Sequence, residues 1–417
     1  EIIQKFTNAI QRGLEYVNTH SAEEIAKFDN VASQFQFRKD IILSELKNAG
    51  FNINEINAIV GRGGLVKPIE SGVYEVNEAL INDLNNPPLG EHASNLGGLI
   101  ANDIAKSLNN GTKAYIADPV VVDELQDVAR LTGHPDFTRV SIFHALNQKA
   151  IARTYAKEIG KKYEDINLII AHLGGGVSVG AHDHGRVIDV NNALDGDGPF
   201  SPERSGSLPT GQLVKLCFSG KKTEAEIKKM LKGAGGLVAY LGTNDAYEVE
   251  IKAKEDPKYK LVQDAMSYQV GKAIGEMAAV LKGKVDGILL TGGIAHNPFL
   301  VDYVKEMVGF IAPIKVYAGE DEMRALAMNG LMVLRGELSG KTYKYDNLDR
   351  ESFDYMKSDD NFIPLNLVQQ SNMDEIKLQE IKESIMNMAK QQKTISDHTK
   401  ISVDAGIASE TDANGKK

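Results

Sequence analysis

Four short, mostly apolar runs, each followed by glycines or by Asp-Pro, constrain the fold of this chain more than any other feature. A run of four or five such residues suits a buried β-strand, and glycine or proline after it marks a tight turn. The runs are residues 56–60, 114–117, 167–171 and 286–290. Because longer segments separate them, the pattern predicts strands that alternate with helices.

One of the intervening segments has the period of an amphipathic helix. Its apolar residues fall on one helical face: Met266, Val270, Ile274, Met277 and Leu281. Strands alternating with helices predict an α/β fold with largely buried strands. Open α/β sheets bind ligands at the carboxyl ends of their strands, so the glycine turns found there are candidate phosphate-binding loops.

The composition argues against several classes of function. The formal net charge of the 417 residues is −10 and no lysine- or arginine-rich run occurs, so we expect no nucleic-acid partner. No stretch approaches the ~18 apolar residues of a membrane span, and we expect no membrane partner. The one cysteine, Cys217, cannot form an internal disulfide. We expect it to be a small core residue in a reducing, cytoplasmic setting.

The most informative segment contains the triple-glycine turn of residues 174–176, preceded by one predicted strand and followed by two more (residues 177–181 and 186–190). Consecutive glycines can aim their backbone N–H groups at a polyphosphate, although a tight structural turn is the alternative. Neither a Walker loop nor a GxGxxG fingerprint occurs, which disfavours a dehydrogenase with a glycine-rich cofactor turn. His182 and His184 are interpreted as a solvated hairpin tip rather than as metal ligands.

The same segment, AHLGGGVSVGAHDHGRVIDVNNALDGDGPFSPERSGSLP, closely resembles the phosphate-binding signature of the acetokinase family, in the version that acts on butyrate. Further similar motifs are IVGRGGLVKPIESGVYEVNEA, PLGEHASNLGGLIA, SIFHALNQKAIAR and ILLTGGIAHN, and together they cover roughly residues 20–336. The resemblance implies two ribonuclease-H-like domains of the acetate and sugar kinase, heat-shock ATPase and actin superfamily, here with an incomplete N-terminal domain.

The resemblance also implies an activity. The γ-phosphate of ATP, with Mg²⁺, would pass reversibly to a short-chain carboxylate; butyrate is the favoured acceptor, and acetate and propionate are less favoured. A carboxylate is already a nucleophile, so this transfer needs positioning and positive charge rather than a general base. By the same resemblance we expect a homodimer or a larger homo-oligomer.

Site residues are carried over motif by motif. The expected catalytic residues are Arg62, His92, His172 and Arg204. The arginines would lie against the carboxylate and the transferring phosphate, to which a guanidinium offers two parallel donors. His172 would hydrogen-bond the phosphoryl oxygens.

The nucleotide is expected at a second set of residues: Gly174, Gly175, Gly176, Asp245, Gly292 and Gly293. The three glycines of the turn would line the β- and γ-phosphates, and the other three residues would contact the nucleoside. Glu322 is the expected acidic residue that helps to hold the magnesium ion.

Two departures from the family pattern bear on activity. Where acetate kinases carry an aspartate proposed to touch the metal, this chain has His144. The Asn-Pro-Gly-Ser-rich turn with which family members begin has no counterpart before residue 18. The alternative function is therefore an inactive, nucleotide-binding relative of the kinase.

The predicted organisation has four parts. Residues 1–17 form a helical segment foreign to the family, and residues 18–150 form the N-terminal acyl-substrate domain, onto which residues 321–336 pack back. Residues 151–320 form the C-terminal nucleotide-binding domain. Residues 341–417 are an extra tail with one helix, which begins at Asn372, and a disordered end.

Overall fold

A computed structural model describes residues 27–344 of the chain. The expectations for residues 1–17, for the helix at Asn372 and for the end of the tail lie outside the described residues. Most of the described residues belong to one compact unit, residues 27–130 and 139–344. Residues 131–138 belong to a second unit, where they form a short loop closed by a bridge between Leu131 and Thr138.

The helices of the described residues are α1 Phe35–Asn48, α2 Glu78–Asn85, α3 Asn95–Leu108, α4 Asp127–Arg130, α5 Ala145–Glu158, α6 Thr210–Cys217, α7 Glu224–Leu231, α8 Gly236–Leu241, α9 Ala246–Lys252, α10 Pro257–Val280, α11 Pro298–Val308 and α12 Glu322–Leu334. Short 3₁₀ turns cover Ala32–Gln34, Ile53–Glu55, Tyr163–Asp165 and Gly293–His296. None of these helices is long and apolar enough to cross a membrane.

The first sheet is built from β1 Ala58–Gly61, β2 Val73–Glu75, β3 Lys113–Ala117 and β9 Lys341–Thr342, in the order β1-β3-β2-β9. Because β1 and β3 run parallel, their carboxyl ends lie at the same edge. Helix α3 packs on both strands, and α12 contacts β1. At the end of β1 the backbones approach so closely that a Cβ atom on Gly61 would collide with the carbonyl of Gly97.

The second sheet is built from β4 Asn167–Leu173, β5 Val177–Asp183, β6 Arg186–Val190, β7 Gly287–Gly292 and β8 Ile314–Ala318, in the order β6-β5-β4-β7-β8. Strands β4, β7 and β8 are parallel, whereas β5 and β6 return as an antiparallel hairpin. Helix α10 covers this sheet and buries Met266, Val270 and Ile274 against strand residues such as Ile169 and Leu290.

The α/β class, the four strand runs and the amphipathic helix are confirmed by this architecture. The first strand begins at Ala58 rather than at residue 56, because Asn52 caps a 3₁₀ turn that occupies Ile53–Glu55. The boundaries between domains stay a prediction.

The expectation for Cys217 is wrong. Its thiol is exposed at the end of α6, a helix in which no residue is buried. Cys217 lies in the apolar run LVKLCF, which suggested a core position, but no element among the described residues buries this helix.

The interpretation of His182 as part of a solvated hairpin tip is also wrong. His182 is 0% exposed, since β5 lies between β4 and β6 and carries its side chain into the protein. Both ring nitrogens are satisfied there, by Tyr163 Oη at 2.6 Å and by Gln148 Oε1 at 2.9 Å. His184 does sit at the exposed tip, in the left-handed conformation with φ +47°.

Candidate active site

The glycine turns of the second sheet meet at one edge because β4 and β7 are parallel neighbours. His172 on β4 pairs with Thr291 on β7, so the turn after Leu173 and the turn at Gly292 lie side by side. Gly292 has φ +90°, and a Cβ atom there would collide with the carbonyl of Leu173. Only glycine allows the two strand ends to come this close.

The triple-glycine turn has the geometry of an anion cradle. The N–H of Gly174 donates to the carbonyl of Gly176 at 3.0 Å, and Ser201 Oγ donates to the carbonyl of Gly175 at 2.7 Å. These bonds fix the loop, while the N–H groups of Gly175 and Gly176 donate no hydrogen bond within residues 27–344. Gly175 is exposed with open space beside it, so a phosphate can approach the backbone.

Arg204 lies directly against this turn. A side chain on Gly176 would collide with Arg204 Nη1, which itself donates to the carbonyl of Ala193 at 2.6 Å. Arg204 Nε is buried and has no hydrogen-bond partner in the described part of the chain. Burial lowers the pKa of this guanidinium. A partly buried cation is a group that an anion would stabilise.

His172 and His144 form a stacked pair beside the turn. Their ring centroids are 3.8 Å apart with an 11° angle between the planes. His172 is 2% exposed; its Nδ1 hydrogen-bonds Asn147 Oδ1 at 2.9 Å, and its Nε2 lies 3.4 Å from Glu320. Burial, followed by the charges of Arg62 and Arg204, lowers the pKa of His172 to about 3. At neutral pH this imidazole is therefore uncharged.

Arg62 follows β1 at the edge of the first sheet and lines a cleft together with Ser94, Asp118, His144 and Glu322. Its Nη2 lies 3.1 Å from the carboxylate of Glu322, the first residue of α12. The backbone of Arg62 packs closely on α3, since a Cβ atom on Gly97 would lie 2.6 Å from the Arg62 carbonyl oxygen and 2.7 Å from its nitrogen. The structure thus places Arg62 and Glu322, predicted from separate motifs, in direct contact.

His92 belongs to the same neighbourhood. Its Nδ1 hydrogen-bonds Ser94 Oγ at 2.7 Å. Partial burial, then the positive charges of Arg62, Lys232 and Arg204, lower the pKa of His92 to about 4. The two predicted arginines therefore both act electrostatically on His92 as well as on His172.

Asp245 is not brought to these residues by any contact in the described ranges. Its exposed carboxylate caps α9 by accepting from the N–H groups of Tyr247 and Glu248, at 2.9 and 3.1 Å. Gly293 has open space beside it and begins the 3₁₀ turn after β7. The nucleoside role of both residues stays a prediction.

The described residues contain no group of three acidic, histidine or cysteine side chains that could hold a metal ion by itself. They do place two carboxylates, Glu320 and Glu322, beside the histidine and arginine of the site. Burial, and then the negative charge of Glu322, raise the pKa of Glu320. Mg²⁺ is commonly bound through one or two carboxylates plus substrate phosphates, and this pair fits that arrangement.

Three contributors to the site were missed from the sequence: Asn147, Ser201 and Gly97. Asn147 and Gly97 lie inside the quoted motifs, but each acts on a residue far away in the chain, His172 and Arg62 respectively. Ser201 lies later in the phosphate segment and stabilises its glycine turn. The motifs could have suggested these positions, whereas only the packed structure gives their partners.

Solved structures identify the fold. The acetate kinase of Porphyromonas gingivalis aligns with a TM-score of 0.59 at 20% identity, over 71% of this chain and 84% of that one. A propionate kinase from Francisella tularensis aligns with a TM-score of 0.56 at 20% identity, over 70% and 83%. The chain therefore has the fold of these two kinases, as predicted.

Sequence relatives give the family. The model of the acetokinase family matches residues 137–317. Butyrate kinase 2 of Clostridium acetobutylicum is 59% identical over 326 residues, which are 78% of this chain and 91% of that protein. Butyrate kinase 1 of the same organism is 58% identical over equal shares. The chain belongs to the acetokinase family.

Proposed function

We propose that this chain is a butyrate kinase, which transfers the γ-phosphoryl group of ATP to the carboxylate of butyrate. The observation that carries the proposal is the convergence of Arg204 and the glycine turn at one sheet edge, beside His172. Anionic groups in transfer need donors and positive charge of this kind. The close relatives named butyrate kinase support butyrate as the acceptor.

In the proposed reaction, a butyrate carboxylate oxygen attacks the γ-phosphorus while the bond to the β–γ bridging oxygen breaks. ADP leaves with that electron pair, butyryl phosphate forms, and no proton has to move. The N–H groups of Gly175 and Gly176 would bind phosphate oxygens, and Arg204 would neutralise charge on the transferring group. Bound Mg²⁺, held through Glu320 and Glu322 together with the phosphates, would supply further charge neutralisation.

Arg62 is assigned to the acceptor. In the present structure its guanidinium is paired with Glu322, and it is still 41% exposed toward the cleft. A carboxylate of the substrate can engage the remaining donors of the fork. The reverse reaction, from butyryl phosphate and ADP, would use the same contacts. We propose a cytoplasmic enzyme that assembles as a homodimer or larger homo-oligomer.

A coupled assay of ADP release tests this function. The protein should consume ATP only when a short carboxylate is present, and kcat/KM should be higher for butyrate than for acetate. Since each methylene in a pocket is worth about 1–3 kcal/mol, a preference of at least ten-fold is expected. Equal kcat/KM values for acetate, propionate and butyrate would contradict the acceptor assignment. ATP hydrolysis independent of carboxylate would contradict the reaction itself.

A further inference from the structure

His144 occupies a position in the cleft for which the resemblance expects a metal-binding aspartate. It precedes α5, lines the cleft with Arg62 and Glu322, and stacks on His172. What an imidazole can do there depends on which nitrogen carries the proton. A protonated Nε2 is a hydrogen-bond donor, whereas an unprotonated Nε2 is a potential metal ligand.

The backbone carbonyl of Ser178 determines the orientation of the Gln148 side-chain amide. Nε2 of the buried Gln148 lies 3.2 Å from the carbonyl oxygen of Ser178 and 2.9 Å from Ser178 Oγ. A carbonyl only accepts hydrogen bonds, so the atom that faces it has to be the amide nitrogen. Ser178 Oγ therefore accepts a hydrogen bond from Gln148.

The other end of the amide is equally constrained. Gln148 Oε1 lies 2.9 Å from His182 Nε2, so that nitrogen carries the proton. The opposite nitrogen of His182 then has a lone pair, which accepts from the hydroxyl of Tyr163 at 2.6 Å. The side chains of Tyr163, His182 and Gln148 are all buried, so these hydrogen bonds are made without water.

The hydroxyl of Ser178 determines which ring nitrogen of His144 carries the proton. Its oxygen has two lone pairs, and they accept from Gln148 Nε2 at 2.9 Å and from the backbone N–H of His144 at 3.5 Å. The hydroxyl hydrogen is therefore left for His144 Nδ1, which lies 2.8 Å away. Nδ1 is thus an acceptor and the proton of the neutral ring resides on Nε2. Within residues 27–344 that N–H has no hydrogen-bond partner, and a Cβ atom on Gly176 would lie 3.3 Å from the adjacent Cε1.

We infer that Tyr163, His182, Gln148 and Ser178 hold His144 as its Nε2–H tautomer, and that this N–H donates to the phosphoryl group in transfer. The inference rests on the proposed function for the identity of the acceptor oxygen. The hydrogen-bond order itself does not depend on that function. In this role His144 is a catalytic hydrogen-bond donor rather than a metal ligand, and the four residues behind it are positioning residues.

The tautomer is measured directly by ¹⁵N NMR of the histidine side chains at pH 7, with His144→Gln identifying the signal. We expect a neutral ring protonated at Nε2. A wild-type ring protonated at Nδ1 would overturn the hydrogen-bond order.

Kinetics of two His144 variants test the donor role. The amide nitrogen of His144→Gln can reach the place of Nε2, whereas that of His144→Asn reaches only toward Ser178. We expect kcat of the asparagine variant to fall by about 10²-fold, as for other lost oxyanion donors, and that of the glutamine variant to fall by less than about ten-fold. Equal losses in both variants would contradict donation through Nε2.

The magnesium dependence of the activity distinguishes a hydrogen-bond donor role of His144 from a metal-ligand role. A lost hydrogen-bond donor leaves the half-saturating Mg²⁺ concentration unchanged, whereas a lost metal ligand raises it by about 10-fold or more. A raised Mg²⁺ requirement in both variants would overturn the inference in favour of a metal ligand. If the wild-type protein failed to phosphorylate butyrate, the proposed function would fall, while the NMR result would still decide the tautomer.

Discussion

At the scale of single residues, the site depends on a contact between an arginine and a glycine. Arg204 is about as close to the triple-glycine turn as a guanidinium can come, because Gly176 has no side chain. Its Nε is left without a partner in the described structure. A ligand phosphate beside the guanidinium would compensate its charge.

Replacing this arginine should impair the chemical step more than binding. In Arg204→Ala we expect kcat to fall by about 10²–10³-fold, with a much smaller change in the ATP dissociation constant, because the charge is needed most in the transition state. Steady-state kinetics and nucleotide titration give the two quantities. Arg335→Ala, which removes an exposed arginine after α12, is the matched control. Arg204→Ala with unchanged kcat and normal stability would show that its role had been misassigned.

The motifs were long enough to predict many residues of the candidate site. They did not predict how buried those residues are or which side chains they contact. Arg62 comes from a different motif than His172 and Arg204, and Arg204 is 32 residues beyond His172 in the same motif. Only the folded chain brings the three near one another. The burial of His182 depends on Tyr163 and Gln148, which lie 19 and 34 residues away in the chain. Local spacing carries no information on such partners, which explains why that histidine was misread.

At the scale of elements, the packing of α3 against the end of β1 positions Arg62. In Gly97→Ala, the new Cβ atom would lie 2.6 Å from the carbonyl oxygen and 2.7 Å from the nitrogen of Arg62. Helix and strand would have to separate, at a cost of about 1–3 kcal/mol. We therefore expect a lower free energy of unfolding together with a lower kcat/KM for butyrate.

The control for this prediction is Gly275→Ala, inside α10. A Cβ atom there meets no atom within 4 Å, so the helix should gain roughly 0.5–1 kcal/mol from the better helix former. Urea unfolding of both variants measures the contrast. If Gly97→Ala were as stable and active as the parent, the close approach of α3 to Arg62 would not be needed.

The strands and helices were predictable because the spacing of apolar residues differs between the two. The strand ending at the triple glycine and the helix of Met266 to Leu281 were both located from spacing alone. The exposed position of Cys217 was not, because an apolar face is buried only if another element covers it. Whether another element packs on this helix face depends on the tertiary fold, and it cannot be predicted from the sequence of α6 alone.

At the scale of the whole molecule, a buried ion pair ties distant segments together. Lys149 of α5 and Glu124 are 1% and 5% exposed, and Lys149 Nζ donates to the carboxylate at 2.6 Å. Lys149 also donates to the carbonyl of Gly185 in the β5–β6 hairpin, while Glu124 accepts from the N–H of Val187 and from that of Ser71. One pair thus connects α5, the hairpin and the loop before β2.

Breaking this pair from one side should destabilise the fold strongly. In Lys149→Met we expect a loss of about 3–5 kcal/mol in the free energy of unfolding, because Glu124 would be left charged and buried. The double variant with Glu124→Gln should recover part of that loss, since the unpaired charge is gone. Lys228→Met, which breaks the exposed pair with Glu224, should change stability by less than about 1 kcal/mol. Equal effects at the two sites would contradict the importance of burial here.

The exposed Cys217 has a practical consequence for studying this enzyme. It is the one thiol in the whole sequence and lies at the end of a surface helix. A maleimide dye would therefore attach at a single defined point without any cysteine having to be removed first. A second thiol introduced by Lys106→Cys, on the exposed side of α3, would give a donor–acceptor pair that spans the two sheets. Fluorescence energy transfer between these points would report whether the distance between them changes when nucleotide binds.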